Sequence, residues 1–170
     1  MEEQQAEAKT RKNFMKVQFA LRSSAALCAL SAAVVMAVNR QTISLSGFQI
    51  TASFAIASSL KFFVAGNFVC SGYLLLSLPL VHALGSSFLH YVADLMTIAV
   101  TISAASVGAV IGQLGKEGND MIGWAEICST FQRFCDHAEA SIALSFGAFF
   151  LLFISSALSV FALQTGKHEK

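Results

Sequence analysis

The sequence predicts an all-α membrane protein, a bundle of four transmembrane helices with both termini cytoplasmic. Three observations lead to that fold class. Of 170 residues, 55% are hydrophobic and only 12% are charged, too few charges to cover a soluble domain of this size. Four apolar windows recur along the chain, and each is long enough for a hydrocarbon core of roughly 30 Å, which takes about 20 helical residues. None of the windows alternates strictly, and all are too long for the strands of a membrane barrel.

Taken in order, residues 1–16 form a polar tail and residues 17–38 the first span. An outer loop, 39–59, leads to the second span at 60–81. The third span covers 88–114, a second outer loop covers 115–137, and the fourth span covers 138–163. A short tail, 164–170, ends the chain. Because apolar windows continue along the whole chain, the first is expected to stay as a span and not to act as a removable signal peptide. Pro79, near the inner end of the second window, is expected to stop that helix.

Orientation follows from the positive residues. Lys9, Arg11, Lys12 and Lys16 precede the first span, and Lys167 and Lys170 follow the last. The opposite side carries Arg40, Lys61, Lys116 and Arg133, the last two among five acids: Glu117, Asp120, Glu126, Asp136 and Glu139. The bias in Lys and Arg near span ends favours cytoplasmic termini. Cys128 and Cys135 then share an outer loop, on the side where disulfides persist. A bridge is expected there, with free thiols or intermolecular bonds as the alternatives. Cys28 and Cys70 fall within spans and read as small apolar residues.

Two charges inside the spans call for an explanation. Spans one and three run in the same direction, and Arg22 and Asp94 both fall roughly 8–9 Å below the cytoplasmic interface at about 1.5 Å per residue. Either charge alone is costly in hydrocarbon, at about 2.5–3.5 kcal/mol at the bilayer centre. Opposite charges at equal depth are expected to pair, the guanidinium donating to the carboxylate. The alternatives are snorkelling of Arg22 to the headgroups and a proton- or ion-handling role for Asp94. His90, one turn before Asp94, either extends the network or sits at the interface.

Small residues recur at four-residue spacing in span three, at Ala104, Gly108 and Gly112, and in span one at Ala25, Ala29, Ala33 and Ala37. Such rows let backbones approach closely, within a bundle or between protomers. Asn67 is the polar exception in span two and is expected to hydrogen-bond to another helix, with a partner in its own protomer favoured over an oligomer contact.

The second outer loop holds Trp124, Cys128, Phe131, Phe134 and Cys135. Aromatics at that level belong either to an interfacial belt or to a small rigid knob that contacts a partner. Here the chain resembles the plant Casparian strip membrane protein-like (CASP-like) family. The resemblance rests on Arg22 in "FALRSSAAL", the exit "MAVNRQT", Asp94 in "YVADLM", the run "GAVIGQLGKEGN" and the Trp–Cys–Phe loop followed by "ASIALSF". It covers nearly all the chain beyond about residue 11. The first outer loop, "NRQTISLSGFQITASF", differs from the apolar, phenylalanine-rich loop of the strict Casparian group.

The resemblance implies a multi-pass plasma-membrane protein distantly related to the MARVEL domain, forming homo- and hetero-oligomers with related four-span proteins. Its function would be that of a non-enzymatic scaffold that organises membrane subdomains and recruits extracellular or wall-modifying proteins. A small ion or solute channel using Arg22 and Asp94 is the alternative.

Other chemistries fit poorly. "GQLGKEG" lacks the first glycine and the Ser/Thr of a phosphate loop, and no G-x-S-x-G elbow occurs. The C-x6-C-x-H spacing around Cys128, Cys135 and His137 is no zinc-finger pattern. A membrane thiol oxidoreductase would want a C-x-x-C pair. A claudin-like junction protein would carry its tryptophan–cysteine signature in the first outer loop. Net charge near zero argues against a nucleic-acid partner, and no cofactor is expected.

Overall fold

A chain with one proline has little to interrupt helix propagation. The computed structural model, which describes residues 2–45, 47–84, 88–119, 121 and 123–168, is built on four long helices. They are α1 (Glu2–Val38), α2 (Ser58–Leu84), α3 (Phe88–Glu117) and α4 (Gln132–His168). All four contain a stretch long and apolar enough to cross a membrane. Asp120 and Lys170, counted above among the loop and tail charges, lie outside the described residues.

Three details differ from the sequence expectations. Helix α1 starts well before residue 17, because the Glu-, Gln-, Ala- and Lys-rich segment ahead of the span consists of good helix formers that extend an existing helix. Helix α4 likewise begins before residue 138. Pro79 does not stop α2 but lies inside it. Without water to satisfy freed backbone groups, a helix in hydrocarbon continues through a proline more readily than it unravels.

The first connection is not an irregular loop. Strands β1 (Arg40–Leu45) and β2 (Phe48–Ser53) form an antiparallel hairpin with Thr42 opposite Thr51 and Ile43 opposite Ile50. The two threonine hydroxyls lie 2.9 Å apart. β-Branched residues favour the extended pairing, and Gly47, at φ +87°, supplies the left-handed conformation of the turn. A single 3-10 turn, Phe54–Ile56, leads into α2.

The helices form a ring in which α1 packs on α2 and α4, and α3 on the same two helices. Helix α1 therefore stands diagonally opposite α3, and α2 opposite α4. The alanine row of α1 turns inward: Ala25, Ala29, Ala32 and Ala33 are fully buried. Ala25 and Ala29 meet Cys70 and Leu74 of α2 and Ala148 and Leu152 of α4 in one core cluster, and Ala32 meets Phe63 and Val64 of α2 in a second. Leu27, Leu76, Leu95 and Phe150 point outward and are exposed, as residues facing lipid tails should be.

The small residues of α3 serve contacts inside this bundle. A Cβ at Gly108 would stand 2.8 Å from the Phe63 ring of α2 and 3.2 Å from Ile142 of α4. A Cβ at Gly112 would meet Ile142 at 3.2 Å, and one at Gly66 would meet the Ala104 Cβ at 3.0 Å. We predict that Gly108→Leu destabilises the protein by about 1–3 kcal/mol through overpacking. Gly72→Ala, where a Cβ meets nothing within 4 Å, should hold or raise the unfolding midpoint. Thermal unfolding in detergent checks both, and an undisturbed Gly108→Leu midpoint would contradict the close approach of α2, α3 and α4.

Candidate functional site

The polar groups of the bundle interior gather at two levels. Toward the terminal end, Arg22 of α1 is 5% exposed and reaches across the diagonal to Asp94 of α3, which is 3% exposed. Arg22 Nη2 donates to Asp94 Oδ2, and Arg22 Nη1 donates to Ser77 Oγ at 3.1 Å. Ser77 in turn donates to the Leu74 carbonyl at 2.8 Å. The Tyr73 hydroxyl donates to the second oxygen of Asp94 at 2.7 Å. Both carboxylate oxygens are thus occupied, and three helices converge on one charge pair. Such completeness matters, because a buried ion pair only offsets its desolvation when its remaining valences are filled. His90 lies beside this network without joining it through its ring: among the described residues its buried Nε2 has no hydrogen-bond partner.

A second network joins α1 to α4 at the same end. Gln18 Nε2 donates to the Ser155 carbonyl and to Ser159 Oγ, both at 2.8 Å, while Ser155 Oγ donates to Gln18 Oε1 at 2.6 Å. Nearer the bundle middle, Ser145 of α4 donates to Asn67 Oδ1 at 2.9 Å, crossing the other diagonal. Asn67 Nδ2 returns to the Phe63 carbonyl of its own helix at 2.9 Å. Asn67 therefore spends its hydrogen bonds within one protomer.

At the hairpin end, the segment after α3 folds back on that helix. Ile127 and Cys128 both donate their backbone N–H to the Gly115 carbonyl, at 2.9 and 3.0 Å. Gly118 sits at φ +65°, and a Cβ there would lie 2.8 Å from the Trp124 carbonyl oxygen, so the turn requires glycine. A disulfide links Cys128 to Cys135 with their Cα atoms 5.7 Å apart, within the span such a bridge needs. Asn39 and Gln41 clasp the start of α4. Asn39 Nδ2 donates to the Phe134 carbonyl at 2.7 Å, and Gln41 Oε1 accepts from the Phe134 N–H at 2.9 Å.

The loop aromatics divide between two roles. Trp124 is 49% exposed, and its neighbours Met121 and Ile127 are also exposed. Phe131 is buried and Phe134 packs against the core cluster of Ala32, Leu60 and Phe63. The three aromatics therefore do not form one outward surface, since the fold-back and the disulfide turn the two phenylalanines inward.

Several of these residues escaped sequence reasoning. Tyr73 and Ser77 were legible by the depth argument used for the charge pair. Counted from the inner end of span 60–81, they bracket the same level, about 6–12 Å deep. Gln18, Ser145 and Ser155 gave no such signal, because serine is common in membrane helices and its partner is set only by packing.

A model of the Casparian strip membrane protein domain matches residues 11–151. The chain is 34% identical over 155 residues to Casparian strip membrane protein 2 of Vitis vinifera, covering 86% of this chain and 77% of the relative. It is 32% identical over 158 residues to CASP-like protein 1F1 of Ricinus communis, covering 89% and 88%. Casparian strip membrane protein 1 of Striga hermonthica is 35% identical over 153 residues, covering 85% and 76%. No solved structure matches the chain.

Two predictions follow from the geometry. Asp94→Asn leaves a buried guanidinium without its counter-charge and should cost about 3–5 kcal/mol. The double variant Arg22→Met/Asp94→Leu should recover most of that loss in unfolding experiments; equal losses in both variants would show that the charge mismatch is not the cause. Cys128→Ser should lower stability by about 2–3 kcal/mol, as expected for a short closed loop. The same shift should appear on reduction of the wild type, and an unaffected midpoint would count against the staple.

Proposed function

The chain belongs to the Casparian strip membrane protein family, and from that premise we propose that it is a non-enzymatic scaffold of the plant plasma membrane. It oligomerises laterally with itself and with related four-span proteins, keeps both termini cytoplasmic, and presents its hairpin end to wall-side proteins. Its relatives in Vitis vinifera and Striga hermonthica are named as Casparian strip membrane proteins, which supports a structural role in the membrane.

The observation that carries this reading is the rigid, apolar surface at the hairpin end. Met121 is 97% exposed, and Phe48, Ile56, Trp124 and Ile127 are exposed beside or above the last turns of the spans. Exposed apolar side chains held by a disulfide and a glycine turn suit a contact surface, because little conformational freedom is lost on binding. The polar interior argues for a scaffold over a channel. Arg22–Asp94 and Asn67–Ser145 bond across both diagonals, with Ser77, Tyr73 and the Phe63 carbonyl as further partners, and alanine, glycine and phenylalanine fill the space between. A conducting path would instead need polar groups left facing water.

The test is photobleaching of the labelled protein in plant plasma membrane. Wild type should form clusters with little lateral recovery, and Trp124→Ser/Ile127→Ser should recover freely while still reaching the membrane. Equally immobile clusters in the variant would remove the loop from the assembly surface. Ion flux into liposomes holding the purified protein, abolished by Asp94→Asn, would replace the scaffold reading with the channel.

A further inference from the structure

Between the hairpin and the second loop lies a cavity of about 830 Å³, within the range of about 300–1,000 Å³ typical of small-molecule sites. Its floor is the last turns of α3, from Gly108 to Lys116, and the first turns of α4, from Phe134 to Ile142, so it extends about 12 Å along α3. The hairpin contributes Ile50 and Ser53, and the disulfide-bonded loop contributes Trp124 and Phe131. The walls are almost wholly apolar. Water filling such a space would lack the two to four polar partners it needs. Left empty, the walls would forgo their dispersion contacts.

The mouth has a different character. Lys116 Nζ and Glu139 Oε2 both line it, 2.6 Å apart, with their side chains 50% and 63% exposed. One cation and one anion therefore stand where the apolar space meets the surroundings, at the level at which the spans leave the hydrocarbon. An anionic head would gain Lys116 and meet repulsion from Glu139. A zwitterionic head matches what this ion pair leaves open, its phosphate accepting from a further Lys116 N–H and its ammonium facing the Glu139 oxygen that Lys116 does not reach.

We propose that this cavity is a lipid site, taking one acyl chain of a zwitterionic phospholipid from the adjoining leaflet with its headgroup at Lys116 and Glu139. The bound chain completes the packing between the hairpin and the stapled loop. Ile56, Trp124 and Ile127 belong both to its rim and to the exposed surface discussed above, so the site is read out at Ile111 and Ile142 of the inner wall, which that surface does not include.

Photolabelling tests the site. Wild-type protein is placed in phosphatidylcholine vesicles containing a trace of phosphatidylcholine with a diazirine at the end of one acyl chain. After illumination, labelled residues are located by peptide mass spectrometry. The expected result is enrichment on the cavity wall, at Ile111 and Ile142, over the lipid-facing Leu76 and Leu95 of the same molecules. Ala109→Phe, which fills the cavity from α3, should bring wall labelling down to the lipid-facing level, and Lys116→Gln/Glu139→Gln should weaken the enrichment. Equal labelling of both surfaces in the wild type overturns the site without recourse to any variant. A matching sterol probe that concentrates in the cavity while the phospholipid does not overturns the ligand class, and enrichment unchanged in the charge variant overturns the headgroup assignment.

Discussion

A guanidinium inside a hydrocarbon layer must carry its solvation with it, and Arg22 obtains it from three helices at once. Asp94 supplies the opposite charge, Ser77 a further acceptor, and Tyr73 fills the carboxylate oxygen that Arg22 does not reach. The consequence is architectural. Lipid tails are as apolar as leucine, so the hydrophobic effect does not select which helix faces which. A charge pair across one diagonal, with a serine–asparagine bond across the other, does make that selection. Any rotation of α1 or α3 would strand a charge in hydrocarbon.

With the diagonals set, the remaining contacts become close-range sterics. Alanines on α1 and glycines on α3 bring the backbones near enough for Phe63 and Ile142 to fill the middle. The charge pair and the Gln18–Ser155 network lie toward the terminal end and the Asn67–Ser145 bond nearer the middle, while the core cluster near the hairpin is apolar. This division leaves the hairpin end free of buried charge. There, order comes from backbone geometry: a β-hairpin, a glycine turn, the Asn39 and Gln41 clasp on Phe134, and a disulfide. The surface that these features hold in place is apolar and exposed, which is the ground for the assembly role proposed above. The same features enclose the cavity, so one set of constraints shapes both an outer face and an inner space.

Much of this was legible in the residues, and what was not has a physical cause. Four spans follow from window length and hydropathy, since hydrocarbon thickness dictates helix length. Arg22 and Asp94 could be matched from sequence because depth is readable by counting along parallel helices. The hairpin was missed because β-branched residues separated by a serine–glycine pair were read only as a polar loop. Pro79 was misjudged by a rule taken from helices in water, where a broken backbone bond finds a solvent partner. Trp124, Phe131 and Phe134 could not be sorted into outward and inward residues, since that depends on where the chain folds back on Gly115.

The sequence by itself determined that this chain lives in a membrane, how many times it crosses, which charges must meet there, and to which family it belongs. Those properties depend on composition, on length and on depth along single helices, all of which are one-dimensional. Only the tertiary structure decided that the glycine row of α3 faces its own bundle, that Tyr73 and Ser77 complete the charge pair, and that a cavity opens beneath the stapled loop. Each of these depends on the rotation of one helix about its axis relative to another. That angle emerges from packing among all four helices together and is written in no single segment.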